Sequence, residues 1–229
     1  MRRGLFIAVE GIDGSGKSTQ ITTLQEIIRS LNKYNNVLIT REPTANCSEV
    51  RRRLEQDGDA CSGQKEMTRL YVQDRIEHTR DVIVPALNQG IYVISDRYRM
   101  STDAFQSAQR KLDLESRGLP PEAQDLSLEE LFALQNRPEI LVPDLTFLLL
   151  VSPEIALERI IKRGQQSEKF EKLPFMIKSD QQYRRAALIG EPREFYGKVI
   201  QVDANESQKR VSLDIRHKFI EFYSEWEKE

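Results

Sequence analysis

The sequence predicts a three-layer α/β fold, a five-stranded parallel sheet with helices on both faces. Three observations carry that expectation. Short apolar runs alternate with helix-period stretches along nearly all 229 residues, the pattern of a parallel sheet covered on both sides. The first apolar run, Leu5-Phe6-Ile7-Ala8-Val9, is uninterrupted, as a fully buried strand should be. It leads into Gly11-Ile12-Asp13-Gly14-Ser15-Gly16-Lys17-Ser18, a full match to GxxxxGK[ST] set between a strand and a helix-period stretch.

The elements follow in order. From Ser18 to Lys33, Ile21, Leu24, Ile28 and Leu31 recur at helical spacing. Val37-Leu38-Ile39-Thr40 reads as a second strand. Ser48 is placed to cap a short helix through Leu54, and Asp57 to Gly63 is turn-rich. A long helix is expected from about Glu66 to about Asn88, stopped by Gly90. Ile91-Tyr92-Val93-Ile94 is the third strand and ends at Asp96-Arg97-Tyr98. Arg110 to Pro121 reads as an exposed, irregular segment, and Ser127-Leu128-Glu129-Glu130 as a capping-box helix start. Leu145 to Val151 is an uninterrupted apolar strand. Ser152 then supplies an N-cap with Pro153 at the first helical position. Val199-Ile200-Gln201-Val202 is the last strand, and the final helix carries Val211, Ile215, Phe219, Phe222 and Trp226. No repeat or low-complexity linker interrupts the chain, so one domain over residues 1–229 is expected.

Hydrophobic residues make up 39% and charged residues 31%, which suits a packed globular core. Lys+Arg (34) and Asp+Glu (36) nearly cancel, which argues against a general pull toward nucleic acid or a membrane surface. No apolar run is long enough to span a bilayer. Met1-Arg2-Arg3 is followed by a strand rather than a signal-peptide core. Cys47 and Cys61 fit no metal or redox spacing. A cytoplasmic setting is expected.

The glycine-rich turn has a specific chemistry. Its glycines let the backbone bend so that successive N–H groups face phosphate oxygens, and the helix start adds open donors and partial positive charge. Gly11, Gly14, Ser15, Gly16, Lys17, Ser18 and Thr19 form this nucleoside-triphosphate cradle, with Lys17 toward the β- and γ-phosphates and the Ser18 hydroxyl toward Mg²⁺. In open α/β sheets the ligand lies beyond the carboxyl ends of the strands. Asp13, Arg41, Asp96 and Arg97 all fall there. Asp96 suits the magnesium shell, and Arg97 presents a planar fork for a second phosphate. Tyr71 and Arg75 are one helical turn apart, a pair that can stack and grip a base or be a core tyrosine beside a solvated arginine. From Arg159 to Arg185 runs a basic stretch with Arg163, Lys169, Lys172, Lys178 and Arg184, broken at Gly164-Gln165-Gln166-Ser167. It reads either as a mobile flap over phosphates or as a charged surface helix pair.

Taken together, Phe6 to Gln20, Thr40-Arg41-Glu42-Pro43, Tyr71 to Arg75 and Asp96 to Gln106 resemble the thymidylate kinases, in the family's order. Pro143-Asp144-Leu145 adds a weaker fifth block. The resemblance implies a P-loop kinase fold with a basic lid over about 159–185. It also implies ATP and dTMP as substrates, Mg²⁺, and a homodimer. It assigns Asp13 to the sugar 3′-hydroxyl of the monophosphate, Arg41 and Arg97 to its phosphate, and Arg75 to the neighbourhood of the base. Tyr71 stands where relatives stack an aromatic on thymine, and Pro43 lines the base pocket. Phe105 lies below the sugar and crowds out a 2′-hydroxyl, with Ser101 and Gln106 in the same wall. Gly14 replaces the loop arginine of one branch. A lid arginine is therefore expected, with Arg163 first and Arg159 and Lys169 behind it. Asp13, Lys17, Arg97 and Arg163 are the expected catalytic set. Ser107-Ala108-Gln109 stands where relatives often carry glycines, and 110–141 is longer than usual.

The implied reaction is phosphorylation of dTMP to dTDP. The alternatives are a kinase of dUMP, UMP or CMP, a GTP-binding switch, and a non-catalytic nucleotide-binding protein. Asn32-Lys33-Tyr34-Asn35 lacks the acid that guanine recognition needs, which disfavours the switch.

Overall fold

The computed structural model describes residues 2–56, 64–118, 120, 128–164, 171–188 and 193–228. Its strands are β1 (Phe6–Glu10), β2 (Val37–Arg41), β3 (Tyr92–Asp96), β4 (Leu145–Leu150) and β5 (Lys198–Asp203). They form one parallel sheet in the order β2-β3-β1-β4-β5. The helices are α1 (Lys17–Leu31), α2 (Ser48–Gln56), α3 (Gln64–His78), α4 (Val84–Asn88), α5 (Arg99–Arg117), α6 (Leu128–Gln135), α7 (Pro153–Lys162), α8 (Leu173–Leu188), α9 (Arg193–Tyr196) and α10 (Gln208–Trp226).

Alternation along β1 divides the core. Leu5, Ile7 and Val9 join a cluster with Leu24, Ile28, Phe147, Ile160, Ile215 and Phe219, from α1, β4, α7 and α10. Phe6 and Ala8 face the other way, toward Val72, Ile83, Leu87 and Tyr98. Successive strand residues point to opposite faces, so an all-apolar strand needs helices on both. The expected three layers are thereby present.

Four local expectations meet a different outcome, a choice between two readings, or the limit of the described residues. The long helix expected over 66–88 contains a π-helical turn, Thr79–Ile83, between α3 and α4. Pro85 lies just beyond that turn. It has no N–H to return to the preceding turn, and its ring crowds the carbonyl four residues back, which a π turn relieves. Second, Arg110–Arg117 is not irregular but continues α5, which ends at Gly118 in the left-handed region (φ 59°). Its polar exterior conceals Ala104, Ala108 and the packing against α8. Third, of the two readings of the basic stretch 159–185, the helix pair is the one its described residues take, in α7 and α8. Phe175, Met176, Ser179, Tyr183 and Ala186 make a buried stripe at helical spacing on α8, so its Lys and Arg residues decorate a packed element. Finally, Ser127, Cys61 and Lys169 lie outside the described residues, while the helix expected after Ser127 begins at Leu128. The Ser152 cap forms as expected, its hydroxyl accepting from the Ile155 N–H at 3.4 Å.

Among the described residues, no helix is long and apolar enough to cross a membrane.

Phe147 is fully buried in β4. Phe147→Ala should cost about 3–5 kcal/mol of stability through lost burial and the cavity left behind. The midpoint of denaturant unfolding checks this, and a loss below about 1 kcal/mol would mean that β4 is not a central packed strand.

Candidate active site

β1 and β2 both pair with β3, so their carboxyl ends stand side by side, with Arg41 directly opposite Asp96 in register. The glycine loop leaves β1 at this edge. Gly14 has φ +79°, and a Cβ there would lie 2.3 Å from the Ala156 carbonyl oxygen, so only glycine lets the loop press against α7. Gly16 (φ 94°) starts α1 with no side-chain cap, leaving the first helical N–H groups available to an anion.

Lys17 folds into this cradle. Its Nζ donates to the Gly11 and Ile12 carbonyls, both at 3.1 Å, and lies 3.7 Å from Asp13 Oδ1. Burial is the chief reason its pKa falls to about 8. Arg97 adds to the fall, and Asp13 and Asp96 oppose it only in part. The cradle is thus a buried positive site whose lysine is held by neutral carbonyls and one partly exposed acid.

Arg97 joins this loop to the rest of the site. It is the one non-glycine residue at positive φ (71°) among the described residues, a conformation that costs about 1–2 kcal/mol. Its Nη2 donates to Asp13 Oδ1 at 2.6 Å, and its Nη1 to the Gly11 carbonyl at 3.0 Å and to Ser101 Oγ and the Tyr183 hydroxyl at 3.2 Å. The guanidinium lies 4.7 Å from the centre of the Phe105 ring. Burial alone would raise the Asp13 pKa, but Arg97 and then Lys17 outweigh it and hold the carboxylate below its usual range. Burial works against the Arg97 charge too, and Asp13 leads the groups that raise its pKa regardless.

Beneath Arg97 lies Glu10, a fully buried acid at the end of β1. It accepts from Ser101 Oγ (2.5 Å), the Tyr98 N–H (2.8 Å) and the Ser101 N–H (3.2 Å), and so caps α5 from across the sheet. Burial raises its pKa, while Ser101 and Arg97 oppose the rise. The Tyr183 hydroxyl completes this group at 2.8 Å from Ser101 Oγ, and burial keeps the phenol protonated.

The opposite wall is the turn after β2. Arg41 is exposed at the strand end, Glu42–Pro43 is a cis peptide, and Pro43 is half-buried. Three residues tie the turn to α3. Thr40 Oγ1 meets His78 Nε2 at 2.7 Å, Glu42 meets Arg75 Nε at 2.7 Å and His78 Nδ1 at 2.9 Å, and Asp74 accepts from the Thr44 N–H at 2.9 Å. Tyr71 is half-buried on α3. Arg75 is almost wholly buried and also bonds Gln135, Thr102 and the Tyr98 carbonyl. In this conformation it is an internal anchor of the wall rather than an open hand.

The sequence-derived residues therefore divide in space. Gly11, Asp13, Gly14, Ser15, Gly16, Lys17, Ser18 and Thr19 form the loop and the start of α1. Arg97 packs onto that loop with Ser101 and Phe105 against its guanidinium, while Arg41, Pro43, Tyr71 and Arg75 belong to the second wall. Ser15 Oγ, Asp96 Oδ1 and Gln106 Oε1 are buried with no hydrogen-bond partner among the described residues. An unpartnered carboxylate oxygen at the end of β3 and an exposed Ser18 hydroxyl at the start of α1 fit a hard divalent cation or its bound water. No three His, Cys, Asp or Glu side chains gather among the described residues. Such an ion would thus complete its shell with phosphate oxygens and water.

Arg163 ends α7, half exposed, with Glu171 at 3.1 Å, and it is near enough to Asp13 to favour its charge. Arg159 is committed elsewhere. It donates to the Ala204 carbonyl (2.9 Å) and to the Asn205 and Glu206 carbonyls, which removes it from the expected lid set.

Sequence reasoning missed Glu10, Glu42, His78 and Tyr183. Glu10 had a signal, an acid closing an otherwise apolar buried strand. Tyr183 had none, because its partners lie 82 or more residues away.

A family model described as thymidylate kinase matches residues 9–215. The probable thymidylate kinase of Methanosarcina barkeri is 37% identical over 226 residues, covering 97% of this chain and 98% of its own. The thymidylate kinase of Ruegeria pomeroyi is 35% identical over 215 residues, covering 93% and 92%. That of Halothermothrix orenii is 35% identical over 228 residues, covering 94% and 96%.

The depressed Lys17 pKa has a signed consequence. In the ligand-free protein Lys17 is charged below about pH 8 and loses its proton as pH rises through that value. Affinity for a nucleoside triphosphate should therefore fall above about pH 8. Bound phosphate pushes the lysine pKa back up, so kcat should persist to higher pH than kcat/KM. Titration calorimetry between pH 6.5 and 9.5 checks this, and an affinity that is flat across that window contradicts it.

Proposed function

The chain belongs to the thymidylate kinase family, and from that premise we propose how its own residues carry out ATP-dependent phosphorylation of dTMP to dTDP. An anionic oxygen of the dTMP 5′-phosphate attacks the γ-phosphorus of ATP. A new P–O bond forms as the bond to the β,γ-bridging oxygen breaks, and the electron pair leaves with ADP. The acceptor is already an anion, so no general base is required, and catalysis rests on positioning and charge neutralisation.

The observation that carries the reading is the convergence of Lys17, Asp13 and Arg97 at the carboxyl ends of β1 and β3. The N–H groups of Gly14 to Thr19 would cradle the ATP phosphates, with Lys17 exchanging its loop carbonyls for β- and γ-oxygens. Arg97 would draw the dTMP phosphate toward the same point, with Arg41 from the second wall. Asp13 would hold the 3′-hydroxyl while fixing the Arg97 guanidinium. Phe105, pressed edge-on against Phe175 at 5.3 Å between ring centres, is a rigid floor for the sugar. Tyr71 and Pro43 would flank thymine, with Arg75, Ser101 and Gln106 completing the pocket. Asp96 and Ser18 are the residues to hold Mg²⁺, which when bound with ATP neutralises phosphate charge and aligns the γ-phosphoryl. Arg163 would swing from Glu171 toward the transferring group. By the same family resemblance, residues 1–229 act as one catalytic domain, as a homodimer, in the cytoplasm.

Lys17→Ala should lower kcat by about a thousandfold or more, because the charge it supplies grows in importance at the transition state. A coupled ADP-release assay measures it, and near-normal turnover would overturn the mechanism. With the unaltered enzyme, dTMP should exceed dUMP, UMP and CMP in kcat/KM. A preference for UMP would remove the thymine pocket and the role given to Phe105.

A further inference from the structure

A buried polar chain runs from the entrance of β5 to the turn after β2, and the reaction as described uses only its far end. Its centre is Gln135, whose side chain is completely buried at the end of α6. Gln135 Oε1 accepts from Arg75 Nη1 at 2.8 Å, and Gln135 Nε2 donates to Asp103 Oδ1 at 2.6 Å. Arginine offers only donors, so the amide atom facing it must be oxygen. The NH₂ end then needs an acceptor, and Asp103 on α5 supplies it. The other Asp103 oxygen takes the Tyr196 hydroxyl at 2.5 Å. Tyr196 is itself fixed to the sheet, its carbonyl accepting from Thr146 Oγ1 at 2.6 Å.

On the far side of Arg75, Nε meets Glu42, which also meets His78, which meets Thr40. These residues bracket Arg41 and Pro43. A bond broken at Asp103 would free the Gln135 amide to turn its NH₂ toward Arg75, donor against donor. Arg75 would lose a partner and the turn its support.

We propose that Asp103 is a positioning residue for the dTMP subsite, acting through Gln135 and Arg75 on the turn that carries Arg41 and Pro43. The inference rests on the reading of that turn as the dTMP wall. Asp103 is poised for such a role. Burial raises its pKa to about 7, and the Tyr196 hydroxyl and then Arg75 limit the rise. Near neutral pH the carboxyl is thus shared between its charged and neutral forms, and the oxygen facing Gln135 Nε2 can accept in either.

The test is steady-state kinetics on the full-length enzyme with each substrate varied in turn. Asp103→Leu matches the carboxylate in shape and removes the acceptor. It should raise KM for dTMP about tenfold, the worth of one charge-assisted hydrogen bond, and leave KM for ATP and kcat within about twofold. Asp103→Asn keeps an oxygen that accepts from Gln135 and should recover most of the loss. A merely structural role would lower active enzyme and kcat, or move both KM values together, and either result overturns the proposal. So does an unchanged KM for dTMP. Should Asp103→Leu not fold, Gln135→Met carries the same expectation and the same contrary outcomes. If the unaltered enzyme forms no dTDP, the dTMP reading fails and the inference falls with it. If dTDP forms normally and neither variant shifts KM for dTMP selectively, the inference fails alone.

Discussion

The site depends on where one guanidinium is held. Arg97 follows β3 at positive φ, and there its side chain turns back over the end of β1 rather than continuing the strand direction. That turn lets it touch Gly11, Asp13, Ser101 and Tyr183 at once, four contacts from three parts of the chain. The backbone strain is small beside these charge-assisted bonds, each worth about 1.5–3 kcal/mol. Without it the phosphate loop and α5 would have no common charged link. The Arg97 N–H donates to the Val9 carbonyl at 2.9 Å, so the strained residue is also tied to the central strand.

Around that point the protein buries a connected set of charged and polar side chains, most of them paired. Glu10 caps α5, and Tyr183 closes over Glu10 and Arg97. Glu42, Arg75, Gln135 and Asp103 continue the polar layer between the sheet and the helices beside it. Buried charges cost free energy unless paired and fully hydrogen-bonded. Here they fix directions. Each acceptor meets a donor from a different element, so no member can move without leaving a partner unsatisfied. Among the buried polar atoms without a partner in the described residues, Asp96 Oδ1 and Ser15 Oγ lie at the phosphate-loop end of the sheet, where a ligand would supply what the protein does not.

What was legible in the sequence were features with local periodicity or local chemistry. The five strands, the glycine loop, the Ser152 cap, the Gly90 stop and the strand-end positions of Asp13, Asp96 and Arg97 all follow from residues close together in the chain. What was hidden depended on distant partners. The polar surface of Arg110–Arg117 reads as a loop until α8 is known to lie beside it. The basic stretch reads either as a flap or as a surface helix pair until Phe175, Met176 and Tyr183 are seen to form a buried stripe. Arg159 reads as a lid arginine until the carbonyls 45 to 47 residues later claim it. Tyr71 and Arg75 were open to two readings on spacing alone, and the burial of Arg75 shows an anchor that spacing cannot reveal.

The central claim is that one crevice holds two phosphate groups face to face, neutralised by Lys17 on one side and Arg97 on the other. The most direct measurement is calorimetric binding of a bisubstrate analogue in which adenosine and thymidine are joined through an oligophosphate chain. The account predicts one analogue per chain, bound about 100-fold or more tightly than either nucleotide alone, displaced by both, and weakened by Arg97→Met. An analogue that binds no more tightly than ATP, or that ignores added dTMP, would show that the two phosphate sites do not meet.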